Sequence, residues 1–110
     1  MGPYNLSEKD YRVALQAAQV INAVQDALDA MAGIAARLIE RGLTEDAANI
    51  LTYVTRHPDV RHDTFDNADE MFMVLEEREC PRVMEDAAAF ILGKSLNTMA
   101  NYIAEIPMPD

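Results

Sequence analysis

The segment "HPDVRHDTFD", residues 57–66, gathers the side chains best suited to chemistry. Asp59, His62, Asp63 and Asp66 fall at helical spacing, and His62 and Asp66, four residues apart, can face one metal ion from a single helix. One helix face supplies only part of a coordination shell, and no second cluster of this kind follows in the chain. The competing reading of these residues is a capped, solvated helix start, where the helix dipole favours acidic side chains. His57 stands directly before Pro58, at which a helix cannot continue normally, and an imidazolium is favoured at such a C-terminus. Cys80 can act as a nucleophile only beside a histidine. Nothing in the sequence puts His57 or His62 next to it, and "CPR" reads as the start of a helix. No catalytic residue and no cofactor is expected, and the Asp59–Asp66 face is kept as the metal- or cofactor-binding alternative.

The elements that position these residues are helical. Half of the 110 residues are hydrophobic and 25% are charged, a globular balance, and the hydrophobic choice leans on Ala, Leu and Met, whose side chains lose little freedom in a helix. No run alternates apolar and polar residues long enough for a strand. The length suits one domain, 1–110, with tails at 1–6 and 106–110. A net charge of −10 repels phosphate backbones and anionic lipid surfaces, so neither nucleic acid nor membrane is the expected partner. No apolar run approaches a membrane span, and "MGPYNLSEKD" lacks the basic and apolar segments of a signal peptide. With a single cysteine no intramolecular disulfide forms, which fits a reducing compartment. The cytoplasm is the expected location.

Punctuation along the chain predicts about six helices. Ser7 is a candidate N-cap, followed by Tyr11, Ala14, Leu15, Ala18 and Ile21 on one inward stripe. Asn22 tolerates the left-handed conformation, so a break near Asn22–Ala23 is favoured over one long helix. The second helix covers about 24–41 and stops at Gly42. Thr44 caps a third that runs to about His57, and Asp59 caps a fourth that reaches about Arg78. A fifth starts at Pro81 and ends at Gly93, and Ser95 or Asn97 caps a short sixth through about Glu105. Short connections make neighbours antiparallel and give three hairpins.

Met31, Ile34, Ala35, Leu38, Gly42, Ala47, Leu51, Val54 and Pro58 resemble the signature of a tetratricopeptide (TPR) repeat. Met replaces the large aromatic, Leu and Val stand at later aromatic and small positions, and the proline comes one residue early. "ALDAMAGIAARLIERGLTEDAANIL", the "HP" after it and "AAAFILGKSL" resemble, over most of residues 14–96, the C-terminal repeat region of large bacterial signalling and transcription-regulator proteins. The chain contains neither a Walker glycine loop nor a basic recognition helix. The resemblance implies an all-α fold, a right-handed TPR-like superhelical array of antiparallel hairpins, and a non-enzymatic role in protein–protein contact within signalling. It also implies an inner groove at Asp29, Ala32, Ala36, Ile39 and Glu40. Alanines and acids there suit an amphipathic helix, or the domain's own flanking helix, rather than a partner's terminal carboxylate.

A repeat scaffold needs polar end caps or a partner. The first helix carries Val13, Ala17 and Val20 on a second face, and the sixth carries Met99, Tyr102, Ile103 and Ile106. A homodimer is therefore expected, with Val13, Ala17, Val20, Tyr102 and Ile106 at its interface.

Overall fold

Asn22, Gly42 and Gly93 carry positive φ angles of 55°, 83° and 73° and mark three of the chain's turns. The computed structural model describes residues 4–79 and 81–108, so Cys80 lies outside the described residues. All described secondary structure is helical: α1 (Glu8–Val20), α2 (Val24–Glu40), α3 (Thr44–Arg56), α4 (His62–Arg78), α5 (Pro81–Phe90) and α6 (Leu96–Glu105).

The first two turns use the same device. After α1, Asn22 N–H donates to Gln19 O at 3.2 Å and Ala23 N–H to Ala18 O at 2.9 Å. After α2, Gly42 N–H donates to Ile39 O at 3.1 Å and Leu43 N–H to Leu38 O at 2.9 Å. In each pair a left-handed residue turns the chain while its neighbour closes the last carbonyls, which is how a helix ends without orphaned groups. The break at Asn22 thus separates α1 from α2. The N-caps follow the sequence at two places: Ser7 accepts from Asp10 N–H and Ser95 from Thr98 N–H, each at 3.1 Å.

Thr44 and Asp59 do not cap. Leu43 occupies the N-cap position of α3 with no side-chain bond, because the preceding turn already fixes it, and Thr44 is the first helical residue. Asp59 stays in the turn, its N–H donating to His57 Nδ1 at 3.1 Å, and α4 starts two residues after Val60 with Arg61 as its N-cap.

α2 and α3 form the centre. Leu28, Met31, Ile34, Leu38, Ile50, Leu51 and Val54 are fully buried, as are Ala35 and Ala47, whose small side chains permit close helix approach. α1 packs on α2, α4 on both α2 and α3, and α5 on α3. The third hairpin is not a close-packed pair. α5 packs chiefly on α3 and α6 on α1, while α5 and α6 meet through the rings of Phe90 and Tyr102, 4.7 Å apart. The radius of gyration, 12.6 Å, matches the ~13 Å expected of a compact chain this long.

At the α1–α2 crossing, Tyr11 lies directly over Gly33. A Cβ on Gly33 would lie 2.5 Å from Cε1 of Tyr11, whose ring packs edge-on to Tyr4 and whose hydroxyl accepts from Leu6 N–H at 3.2 Å. Gly33→Ala gains about 1 kcal/mol of helix propensity. Displacing the anchored ring costs about 1–3 kcal/mol. A net loss near 1 kcal/mol in urea unfolding is expected, turning into a gain when Tyr11→Leu removes the ring. An unchanged midpoint in both backgrounds contradicts this packing.

Candidate functional site

The TPR-like positions on α2 do not form one continuous open surface. Ala32 is fully buried, and Ile39 is half-buried against the core. The Asp29 carboxylate is already engaged: its Oδ1 accepts from the Tyr4 hydroxyl at 3.2 Å and from Thr64 Oγ1 of α4 at 3.0 Å. Burial, and then the neighbouring Asp29 charge, raise the Tyr4 hydroxyl above its usual range, so it stays protonated as a donor.

Ala36 and Glu40 do line a hollow. It has a volume of about 310 Å³ and is shared with Tyr4 and with Asn67, Glu70, Met71 and Val74 of α4. Those four α4 residues fall at i, i+3, i+4 and i+7, beside the buried stripe of Thr64, Ala68 and Leu75. That second stripe is visible in the sequence, but only the packing of α4 on α2 gives it an opposite wall. Tyr4 and Arg37 had no such signal. Residues 4–6, expected as a tail, are fastened instead, because Arg37 donates to the carbonyls of both Tyr4 and Leu6.

α1 distributes its apolar residues differently from the predicted stripe. Tyr11, Leu15 and Ala18 are buried, but Ala14 is exposed and Ile21 is 71% exposed. With Val13 at 57%, Val20 at 83% and Ala17 also exposed, they make an open apolar face. No residue between Arg12 and Asp26 is charged. The α6 part of the expected interface faces inward. Ile106 is buried, and the Tyr102 hydroxyl donates to Asp46 and accepts from Asn49 Nδ2 of α3, the latter at 3.1 Å. Burial and the hydrogen bond to Asp46 hold that hydroxyl protonated. The sixth helix needed its hydroxyl to satisfy α3, a demand that helical spacing does not reveal.

Of the polar cluster at residues 57–66, His62 Nε2 lies 3.3 Å from Asp66 Oδ2, as the spacing predicted. The His62 side chain is 93% exposed, and among the described residues no three His, Cys, Asp or Glu side chains gather as metal ligands. Asp59 borders a shallow hollow with Asp26, while Asp63 occupies the first turn of α4. His57 packs its ring edge-on to Tyr53 at 5.7 Å, a packing role at the end of α3.

The most heavily bonded charges lie elsewhere. Glu8, 5% exposed, accepts from Arg12 of α1, with the closest contact at 2.8 Å, and from Arg41 at 2.9 and 3.0 Å. Each arginine also reaches the other end of the chain: Arg12 Nη1 donates to Ile103 O at 2.9 Å and Arg41 Nη2 to Pro107 O at 2.6 Å. This network binds α6 to α1 and α2 and caps carbonyls near the end of α6. Among the described residues no helix is long and apolar enough to cross a membrane. Comparison with protein-family models, with curated proteins and with solved structures gave no match.

Proposed function

We propose that the chain is a non-enzymatic helical module for protein–protein contact, and that it pairs with a second copy of itself through the outer face of α1. The observation that supports this is the coincidence of exposed Val13, Ala17, Val20 and Ile21 with the uncharged stretch between Arg12 and Asp26. In a chain of net charge −10, two copies repel least where they meet on such a face, and burying its valines and isoleucine supplies the driving force. A two-fold arrangement lets the same face cover itself. Tyr102 and Ile106 are left out of this interface because they face inward.

The Met31–Pro58 hairpin is the TPR-like unit of this reading. An open superhelical stack keeps its first and last helices apart, whereas α1 here packs on α6. The array proposal is therefore confined to α2 and α3 with their immediate neighbours. The resemblance adds a regulatory role in bacterial signalling, in the cytoplasm.

Sedimentation across micromolar concentrations tests the pairing. A dimer that tightens with added salt, as screening of like charges requires, is the expected result. Val13→Glu with Val20→Glu is expected to leave a folded monomer. A wild-type monomer at every salt concentration refutes the pairing, and a dimer that survives both substitutions refutes the interface.

A further inference from the structure

Residues 4–6, which bend at Leu6, lie against α2 ahead of the first helix. Arg37 donates through Nε to Leu6 O at 2.7 Å and through Nη2 to Tyr4 O at 2.6 Å. Glu40 steadies the same guanidinium through Nη1, at 2.9 and 2.7 Å. Leu6 N–H donates to the Tyr11 hydroxyl at 3.2 Å, and the Tyr4 hydroxyl reaches Asp29. Main-chain groups are thus held at alternate residues, with a tyrosine as the one side chain that is read. Such a set recognises a short peptide by its backbone and one anchor.

The segment fills its site incompletely. The 310 Å³ hollow beside Tyr4 stays open, with Ala36, Met71 and Val74 on its apolar part and Glu40 and Glu70 as its carboxylates. Leu6 is 48% exposed. Glu40 is paired with Arg37, which leaves Glu70 as the carboxylate facing a newcomer.

We propose that the α2–α4 groove receives a basic, tyrosine-bearing peptide from another protein, and that residues 4–6 occupy it as an internal competitor. The proposal rests on the chain being a protein-contact module but not on its pairing through α1. An incoming peptide can reproduce the bonds to Arg37, Tyr11 and Asp29. It then adds what the internal segment lacks: an apolar side chain in the hollow and a lysine or arginine against Glu70. The net charge of −10 draws a cationic peptide in. Competition with residues 4–6 then sets the apparent affinity for the incoming peptide.

The test is fluorescence anisotropy of a labelled Lys-Lys-Tyr-Asn-Leu-Lys-Lys peptide with the full chain. Tyr4→Ala empties the tyrosine site and is expected to bind the peptide about tenfold more tightly than wild type, by relieving the competition. Adding Arg37→Met to Tyr4→Ala is expected to abolish that gain, as is replacing the peptide's tyrosine by alanine at unchanged charge. Absence of binding to a helical Tyr4→Ala protein overturns the proposal. So does equal binding of the tyrosine and alanine peptides, which marks charge attraction alone. If Tyr4→Ala does not fold, amide shifts in wild type decide: changes at Asp29, Arg37 and Asn67 on adding peptide support the groove, and their absence overturns it. Sedimentation of the same samples keeps the outcome for pairing separate.

Discussion

Glu8→Ala is expected to destabilise the protein by about 3 kcal/mol, because it leaves the Arg12 and Arg41 guanidiniums without the carboxylate that both share. Breaking a buried charge cluster from one side strands the remaining charges, which is why the loss exceeds that of a surface ion pair. The figure sits at the low end of the buried range because the Arg41 side chain is 25% exposed and can turn toward water. Against a total stability of about 5–15 kcal/mol, such a loss is severe. It should also be uneven. Arg12 and Arg41 tether Ile103 and Pro107, so hydrogen exchange should show α6 losing protection before α2 or α3. Urea unfolding within about 0.5 kcal/mol of wild type, a surface-like result, would falsify the network as a structural clamp.

Ala47→Leu is the second large effect. Ala47 is fully buried on α3, the helix on which α2, α4 and α5 all pack, and Ala48, Ile50 and Leu51 beside it are fully buried too. Three added carbons find no open side, so a loss of about 3 kcal/mol is expected, the upper end for overpacking. Ala89→Leu on the exposed side of α5 is the control, expected to stay within about 0.5 kcal/mol. Equal midpoints for the two variants would mean that α3 is not enclosed as described.

The sequence by itself determined the helices and most of their ends. Asn22 and Gly42 stop α1 and α2 through bonds that span only a few residues, and Ser7 and Ser95 cap α1 and α6 within one turn. Met31, Ile34, Leu38, Leu51 and Val54 were legible as core because burial of one helical face repeats with the helical period. Local signals misled where two of them competed. The turn that ends α2 fixes Leu43 before Thr44 can cap, and the turn after α3 leaves Asp59 two residues short of the N-cap position of α4, which Arg61 takes. The candidate site was half legible. Ala36 and Glu40 were found on α2, but their opposite wall on α4, the Tyr4 anchor and the Arg37 grip were not. Only the tertiary structure decided that α6 packs on α1, that Tyr102 and Ile106 turn inward, and that Glu8 is buried between two arginines. The Arg12–Ile103 and Arg41–Pro107 bonds join residues 91 and 66 positions apart, and a hydrogen-bonding demand at one end of the chain leaves no periodic trace at the other.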